Sequence, residues 1–357
     1  MLSNKTKSEI RISNKISISN KKKCLIVAEI SANHSGDLKI LKKSILKAKE
    51  CGADAIKLQS YEAETMTLNV RNKHFLINDK SIWRGSYLYD LYKKAETPFK
   101  WHNEIFSFSK KNKILCFSAP FDTSAVDLLE ENKCPIYKVA SPEIEDLELV
   151  KKIAKTKKPI IISTGIADEV DIKNALKVCF KEKNFKVVLL NCISSYPAKN
   201  NELNISYINN LKKYSKLVGY SDHSNSDLAS LLSLSYGAKV IEKHFILNKK
   251  IKSPDEKFSY DPTQFKNLVR QIRLSEIMLG KEDINKKRII KNRLKTVTRS
   301  FFYSKNIKKG EKISLENIKS VRPGTGLKLS YLKKIIGKKV KKNCKFGQPV
   351  KLKEIKI

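Results

Sequence analysis

The sequence predicts an α/β fold, a parallel (β/α)8 TIM barrel followed by a small β-rich domain. From residue 24 onward, short apolar runs typical of buried strands alternate with amphipathic stretches typical of helices. Eight such runs fall within roughly 250 residues, the usual length of such a barrel. After residue 296 the pattern changes to short β-like segments separated by glycine and proline, which indicates a second, smaller domain.

The elements of the barrel follow in a regular order. The predicted strands are Cys24–Ile30, Ala55–Gln59, Ile114–Ser118, Ile136–Val139, Pro159–Ser163, Val187–Cys192, Leu217–Ser221 and Val240–His244. The predicted helices between them include Leu38–Cys51, Trp101–Asn112, Asp122–Asn132, Asp146–Lys155, Glu169–Phe180 and Asp227–Tyr236. A doubly wound open sheet is the alternative, but no glycine-rich dinucleotide-binding turn follows the first strand.

The remaining segments set the expected domain boundaries. Residues 1–23 are basic and polar, and they predict a disordered leader. The barrel domain is expected over 24–280, a charged linker over 281–295 and the small domain over 296–357. A domain of that size is near the lower limit for independent folding, so we expect it to pack on the barrel or on a partner subunit.

The strong positive charge raises a second class of function. Lys and Arg number 73 against 36 Asp and Glu, which gives a formal net charge of +37. A basic module that binds polyanions is therefore the alternative to an enzyme. The lysines are spread over nearly all segments, however, and no basic stripe interleaved with aromatic residues occurs. We expect no nucleic-acid partner, and a lysine-rich enzyme surface that attracts anionic substrates.

The cysteines and the apolar runs indicate the compartment. Seven cysteines are widely spaced, their number is odd, and no Cys-x-x-Cys motif occurs. This pattern predicts free thiols in a reducing compartment, hence a cytoplasmic protein. The first apolar run is far too short to cross a bilayer, so no membrane association is expected.

Polar and charged side chains follow nearly every predicted strand. In a parallel barrel all strand carboxyl ends meet on one face, where active sites are built. Lysines, carboxylates, hydroxyls and two histidines are therefore expected on one rim, which favours an enzyme. The rim residues are Glu29, Lys57, Gln59, Ser118, Lys138, Ser141, Glu143, Ser163, Ser194, Tyr196, Ser221, His223, Glu242 and His244.

The two histidines follow the last two strands of the barrel. His223 and His244 are 21 positions apart, but a strand–helix–strand unit brings them side by side. Two neutral imidazoles on one rim can ligate a divalent metal, whereas the alternative is that each is a hydrogen-bonded structural histidine. Lysines and serines suit a phosphate, and Glu29 and Glu143 suit acid–base catalysis. This chemistry alone leaves open an enolpyruvate condensation or a phospho-sugar aldolase.

The loop after the second barrel strand is unusually long. It covers residues 61–98 and contains Trp83, Gly85 and several tyrosines. A loop of that length is usually functional, but aromatic packing on the outer helices explains the same composition equally well.

Several motifs resemble one known family in chain order. They are Ala28-Glu-Ile-Ser-Ala-Asn-His-Ser-Gly36, Lys57-Leu-Gln59, Tyr137-Lys-Val-Ala-Ser141, Ser163-Thr-Gly165, Ser221-Asp-His223 and Glu242-Lys-His244. From residue 24 to the end, the chain resembles the sialic acid synthase family, whose members join a barrel to a C-terminal antifreeze-like (SAF) domain. Its pseudaminic acid synthase branch is the most similar, through Leu88-Tyr-Asp-Leu-Tyr92, Cys116-Phe-Ser-Ala-Pro-Phe-Asp122, Ser194-Ser-Tyr-Pro197 and Arg322-Pro-Gly324.

The resemblance implies a reaction and its partners. Phosphoenolpyruvate (PEP) condenses with an N-acetylated amino sugar, with Mn²⁺ or Mg²⁺, to give a nonulosonic acid and phosphate. The favoured sugar is 2,4-diacetamido-2,4,6-trideoxy-L-altrose, and the alternatives are the precursors of legionaminic acid and N-acetylneuraminic acid. A domain-swapped homodimer is also implied, in which Arg322 enters a neighbour's active site.

The resemblance also assigns roles by matching positions. His223 and His244 match the metal ligands, and Glu143 is the candidate for activating the attacking water. The positions that bind PEP are Lys57, Ser118, Lys138, Ser141, Ser194 and Ser221. The positions that bind the sugar are Glu29, Gln59, Tyr196, Asp255 and Arg322, with Glu29 also a candidate acid or base.

Three positions depart from the family pattern. Ser253 replaces the glycine before Pro-Asp255, which leaves the carboxylate in place. Ser194 stands where the sialic acid branch has an asparagine, which argues against that branch. Thr296 stands near a phenylalanine of that branch, which removes an aromatic contact to the sugar.

Overall fold

The computed structural model describes residues 2–280 and 284–356. It separates into two compact units, and the division falls between Leu279 and Gly280. The first unit contains a closed barrel of eight parallel strands, and the second contains a small antiparallel sheet with short bridges. The predicted fold class is thereby confirmed.

The eight barrel strands pair in chain order, and the last strand closes the barrel by pairing with the first. Their bounds are β3 Leu25–Glu29, β4 Ala55–Ser60, β5 Leu115–Pro120, β6 Tyr137–Val139, β7 Ile160–Ser163, β8 Val187–Asn191, β9 Val218–Asp222 and β10 Ala238–His244. The register places His244 beside Glu29, and Glu29 beside Lys57. Polar strand ends that are far apart in sequence are therefore adjacent across the barrel rim.

Helices surround the barrel in the expected alternation. The helices of this unit are α1 Leu38–Glu50, α2 Ala63–Met66, α3 Leu88–Ala95, α4 His102–Lys111, α5 Thr123–Glu131, α6 Leu147–Lys155, α7 Glu169–Lys181, α8 Ile208–Leu211, α9 Asp227–Ser235 and α10 Pro262–Leu279. Several begin at a side chain that accepts hydrogen bonds from the first turn, as Asp37, Asp122, Asp146 and Asp168 do. These caps fix the points at which the strand-end loops become helices.

The core explains why the strands are continuous apolar runs. In β7, Ile160, Ile161 and Ile162 are all fully buried, because one face meets the barrel interior and the other meets the helices. The seven cysteines are all buried free thiols, as predicted. Among the described residues, no helix is long and apolar enough to cross a membrane.

The N-terminal segment differs from the predicted disordered leader. It forms a short hairpin of β1 Glu9–Arg11 and β2 Ser17–Ser19, in which Ile10 and Ile18 are 1% exposed. Both isoleucines join the core cluster that contains the barrel strands. The prediction was wrong because two apolar residues in a basic, polar segment give no periodic pattern, although their contacts with the barrel core anchor the hairpin.

The expected linker over 281–295 also contains regular structure. Helix α11 spans Ile284–Arg293, whereas residues 281–283 lie outside the described residues. The second unit continues with β11 Ser300–Tyr303, β12 Ile318–Val321 and α12 Leu332–Ile335. Its own core includes Phe301, Tyr303, Ile335 and Val350.

Candidate active site

A cavity of about 910 Å³ opens at the carboxyl ends of the barrel strands. It gathers predicted site residues from β4 to β10 and from the loops that follow them. These residues are Lys57, Gln59, Lys138, Ser141, Glu143, Ser194, Tyr196, Ser221, His223, His244 and Asp255. Their convergence from across the sequence is what a parallel barrel imposes on its strand ends.

Two predicted residues of the first unit do not line this cavity. Glu29 is 0% exposed and lies behind Lys57, with the carboxylate Oε2 2.5 Å from Lys57 Nζ. Ser118 is also fully buried and shares a 2.6 Å hydrogen bond with Ser60 Oγ. Arg322 follows β12 and belongs to the second unit.

The floor of the cavity is a buried cluster of charges. Lys57 Nζ also lies 3.0 Å from Glu242 Oε1. Burial lowers the pKa of Lys57 to about 8, although Glu242 acts to raise it. For Glu242, burial acts to raise the pKa, but the charges of Lys57 and Lys138 outweigh it and lower the pKa to about 2. Glu242 is therefore a carboxylate at neutral pH, and it keeps its partner lysine charged.

A small hydroxyl-lined recess adjoins the lysines. Lys138 Nζ donates a 2.7 Å hydrogen bond to Ser163 Oγ at the end of β7. Gly165 leaves the recess open, since a Cβ there would lie 2.6 Å from Ser194 Oγ and 3.0 Å from Ser141 Oγ. Within the described part of the chain, Ser194 Oγ is buried without a hydrogen-bond partner. Hydroxyls beside a lysine suit a phosphate or a carboxylate.

The two histidines lie together at the ends of the last two barrel strands. The ring centroids of His223 and His244 are 5.6 Å apart. His223 Nδ1 lies 2.7 Å from the carbonyl of Ile193, which can only accept, so Nδ1 carries the proton. Nε2 is therefore the unprotonated nitrogen, and it lies 3.4 Å from Ser221 Oγ. Burial lowers the pKa of His223 to about 4 and that of His244 well below its usual value. Both rings are neutral at pH 7, as metal ligands must be.

The donor set fits a divalent metal as two protein ligands. Buried His244 Nδ1 has no hydrogen-bond partner in the described residues, and Asp255 Oδ2 lies 3.7 Å from it. Those residues hold no group of three or more His, Cys, Asp and Glu arranged for a metal. The pair therefore suits an ion whose remaining positions are taken by water or substrate oxygens.

Glu143 is placed to exchange protons with a ligand in the cavity. It lies in a one-turn 3-10 helix, Pro142–Glu145, directly after β6. Burial raises its pKa to about 7, and Oε2 finds no partner in the described chain. A carboxyl group with a pKa near 7 is partly protonated and partly ionised at neutral pH. It can therefore act either as a general acid or as a general base.

The sequence assigned no role to some of the cavity residues. Glu242 was visible at the end of the eighth strand, but its pairing with Lys57 depends on the barrel register. Cys192 was counted only as a buried thiol, yet it lines the recess. Trp83 lay in the long loop, whose function the sequence left open, and Phe258 gave no sequence signal because it follows the last strand in an irregular segment.

Comparisons with known proteins agree with this architecture. The NeuB family profile matches residues 44–284, and the SAF domain profile matches residues 298–356. The pseudaminic acid synthase of Campylobacter jejuni is 45% identical over 333 residues, covering 92% of this chain and 96% of the relative. That of Helicobacter pylori is 43% identical over 333 residues, covering 92% of this chain and 97% of the relative.

A solved structure shows the same likeness. The N-acetylneuraminic acid synthetase of Leptospira borgpetersenii superposes with a TM-score of 0.70 at 31% identity, covering 80% of this chain and 96% of that one. The resemblance to the sialic acid synthase family is thus confirmed. With one profile matching most of the barrel and another most of the second unit, the chain belongs to the NeuB family and carries a C-terminal SAF domain.

Proposed function

We propose that the protein is a pseudaminic acid synthase, a transferase that condenses PEP with 2,4-diacetamido-2,4,6-trideoxy-L-altrose and releases phosphate. One observation carries this proposal: the cavity places two neutral histidines beside two lysines and an open hydroxyl-lined recess. That combination can bind a carbonyl group and a phosphate group in the same cavity. The branch assignment is supported by the two relatives that are 43% and 45% identical, both named pseudaminic acid synthases.

The anionic substrate fits the lysine side of the cavity. We assign the PEP phosphate to Lys138 with Ser141 and Ser194, whose hydroxyls surround the space left by Gly165. Lys57 lies next to Ser221, since both contact Glu242, and these two suit the PEP carboxylate. Ser118 and Glu29 act from behind this surface. Glu29 holds Lys57 in place, and Ser118 supports β4 through Ser60.

The aldose is assigned to the histidine side. Tyr196 and Asp255 lie beside the histidines, and Gln59 also lines the cavity. All three offer polar groups to the hydroxyl and acetamido substituents of the sugar. His223 and His244 would hold Mn²⁺ or Mg²⁺, whose charge would polarise the aldehyde carbonyl. This orientation places the aldehyde at the floor and the rest of the sugar toward the mouth.

The bond changes follow from this placement. The methylene carbon of PEP attacks the aldehyde carbon, and the aldehyde oxygen takes up a proton. Water adds to the central carbon of the enolpyruvate, and Glu143 accepts the proton that the water loses. The bond from that carbon to the phosphate oxygen then breaks, while the new hydroxyl gives its proton to the departing phosphate and becomes the keto group. The proton released by water balances the one taken up by the aldehyde oxygen.

We also propose a domain-swapped homodimer, in which Arg322 of one subunit reaches the site of the other. Its support is the match of Arg322-Pro-Gly324 to the family motif. A planar guanidinium suits paired oxygen acceptors on the sugar. The seven free thiols support a reducing, cytoplasmic location.

Isotope transfer tests the reaction directly. PEP labelled with ¹⁸O in the bridge between carbon and phosphorus should give labelled phosphate, because water attacks carbon and the bridging oxygen departs. Release should require both Mn²⁺ and the aldose, and His223→Ala should abolish it while leaving the circular dichroism spectrum unchanged. Label retained in pyruvate would indicate simple phosphatase chemistry and would overturn the proposal.

A further inference from the structure

The long loop after β4 forms an ordered turn at the mouth of the cavity. Leu88 N donates to Phe75 O at 2.9 Å, and Ile77 N donates to Ser86 O at 2.9 Å. Gly85, with φ of +87°, closes the turn by donating to Ile77 O at 2.8 Å. These bonds hold residues 75–88 as a hairpin-like unit, with Trp83 near its tip.

Trp83 joins this turn to the other side of the cavity. Its indole Nε1–H donates a 2.9 Å hydrogen bond to the carbonyl of Pro254, in the segment after β10. Its ring packs against Tyr196 at 5.7 Å and against Phe258 at 6.4 Å between centroids. The indole is thus held at a fixed position over the cavity, and its one polar hydrogen is already engaged.

The aromatic rings form a continuous wall that begins at the histidines. Tyr196 lies 4.4 Å from His223, and Phe258 lies 4.8 Å from His244, between ring centroids. Trp83 packs on both Tyr196 and Phe258, so it lies one ring farther from the histidines. A substrate that has its aldehyde at the histidines and extends along this wall brings its opposite end to Trp83.

We propose that Trp83 determines specificity by contacting the methyl group at C6 of the aldose and so selecting a 6-deoxy sugar. This inference rests on the proposed function. A methyl group on the indole face buries apolar surface without removing any polar group from water. A C6 hydroxyl there would lose its water and would find no donor on the ring, since Nε1–H is bonded to Pro254.

A matched pair of sugars measures this selection. The 6-deoxy aldose and its 6-hydroxy counterpart would be compared by kcat/KM in the wild type, Trp83→Ala and Trp83→Phe. A difference of one small group between two substrates typically changes the ratio of their kcat/KM values by roughly 10- to 200-fold. We expect Trp83→Ala to lower the preference for the 6-deoxy sugar at least tenfold, mainly through its KM, with the KM for PEP within about threefold of the wild type. Trp83→Phe should retain most of the preference.

The control variant comes from the same turn. Lys80 also lines the cavity, so Lys80→Ala tests whether any change in this loop alters selection. It should leave the ratio between the two sugars unchanged. An unaltered ratio in Trp83→Ala would overturn this inference alone, because both sugars would still react. Failure of the wild-type enzyme to use either sugar would overturn the proposed function and this inference together.

Discussion

At the scale of single residues, several buried polar atoms in the cavity lack a hydrogen-bond partner in the described chain. They belong to Glu143, Ser194, Glu242 and His244. Leaving one such group unpaired costs roughly 1–3 kcal/mol, and folded proteins rarely tolerate several together. Their convergence on one cavity is accounted for if bound substrate and metal supply the missing partners.

Gly165 gives a prediction for the phosphate recess. In Gly165→Ala the added Cβ would lie within 3.0 Å of Ser194 Oγ, Cys192 Sγ and Ser141 Oγ, so these side chains must move. We expect the KM for PEP to rise at least tenfold, which corresponds to about 1.4 kcal/mol, with a smaller change in the KM for the sugar. Steady-state kinetics measure both constants. An unchanged KM for PEP in the folded variant would contradict the assignment of this recess to phosphate.

Glu143 gives a prediction for the pH profile. Its pKa is raised to about 7 by burial, against the opposing charges of Lys138 and Lys57 and with the added effect of Asp146. A general base must be ionised, so kcat/KM should fall as the pH drops below about 7. Glu143→Gln should remove this limb and lower the rate by roughly 10²- to 10⁴-fold.

The matched control for Glu143 is two residues away. Glu145 lies in the same 3-10 helix but is exposed to solvent. Glu145→Gln should therefore retain both the rate and the pH profile of the wild type. If Glu143→Gln kept the same acidic limb, another group would have to be the base.

At the scale of elements, the two histidine-bearing strands are joined by a buried ion pair. Asp222 ends β9 and Lys243 precedes His244 in β10, and both are 0% exposed. Lys243 Nζ lies 3.2 Å from Asp222 Oδ2 and 4.3 Å from the ring centroid of Tyr260. Asp222 also accepts a 2.6 Å hydrogen bond from Ser230 in α9. This network fixes the spacing of the strand ends that carry His223 and His244.

Breaking the pair should destabilise the barrel and loosen the metal site. Lys243→Met leaves the Asp222 charge buried and unpaired, which costs roughly 3–5 kcal/mol. We expect that loss in urea unfolding, together with weaker Mn²⁺ binding by calorimetry. The double variant Lys243→Met with Asp222→Leu should recover part of the stability. If Lys243→Met lowered the free energy of unfolding by less than about 1 kcal/mol, the ion pair would not be what holds the two strands together.

The sequence predicted the barrel elements but not the N-terminal hairpin, and the difference is physical. Each barrel strand is a run of three to seven residues with both faces buried, so its apolar character appears in the sequence. The hairpin strands have three residues each, and only one side chain of β1 is buried. Its position depends on tertiary contacts, such as the hydrogen bond from Lys7 N to Phe185 O.

The same distinction explains the site predictions. His223, His244, Lys57 and Lys138 were predictable because strand ends must share one rim. Glu29 was expected to contact the substrate, but the barrel register places it behind Lys57. No local sequence pattern shows which of these two neighbouring side chains lines the cavity. Trp83 could not be assigned, because its partners come from segments more than 100 residues away.

At the scale of the whole molecule, the net charge of +37 is unusually high for an enzyme whose substrate is a small anion such as PEP. The cavity itself is not a simple basic surface, since Glu29 and Glu242 flank Lys57. Most lysines instead belong to the exposed helices and loops, where they raise the local concentration of anions such as PEP. The charge thus supports the substrate class without specifying the substrate.

The most direct test of the central claim is phosphate release from PEP with Mn²⁺ and three aldoses assayed in parallel. These are 2,4-diacetamido-2,4,6-trideoxy-L-altrose, the corresponding diacetamido mannose-type sugar and N-acetylmannosamine. We predict release with the altrose derivative alone, and none in the His244→Ala variant. Turnover of either other sugar in its place would contradict the branch assignment. If folded and metal-loaded protein released phosphate with none of the three sugars, the assignment as a synthase would be contradicted. A module that binds polyanions would then be favoured.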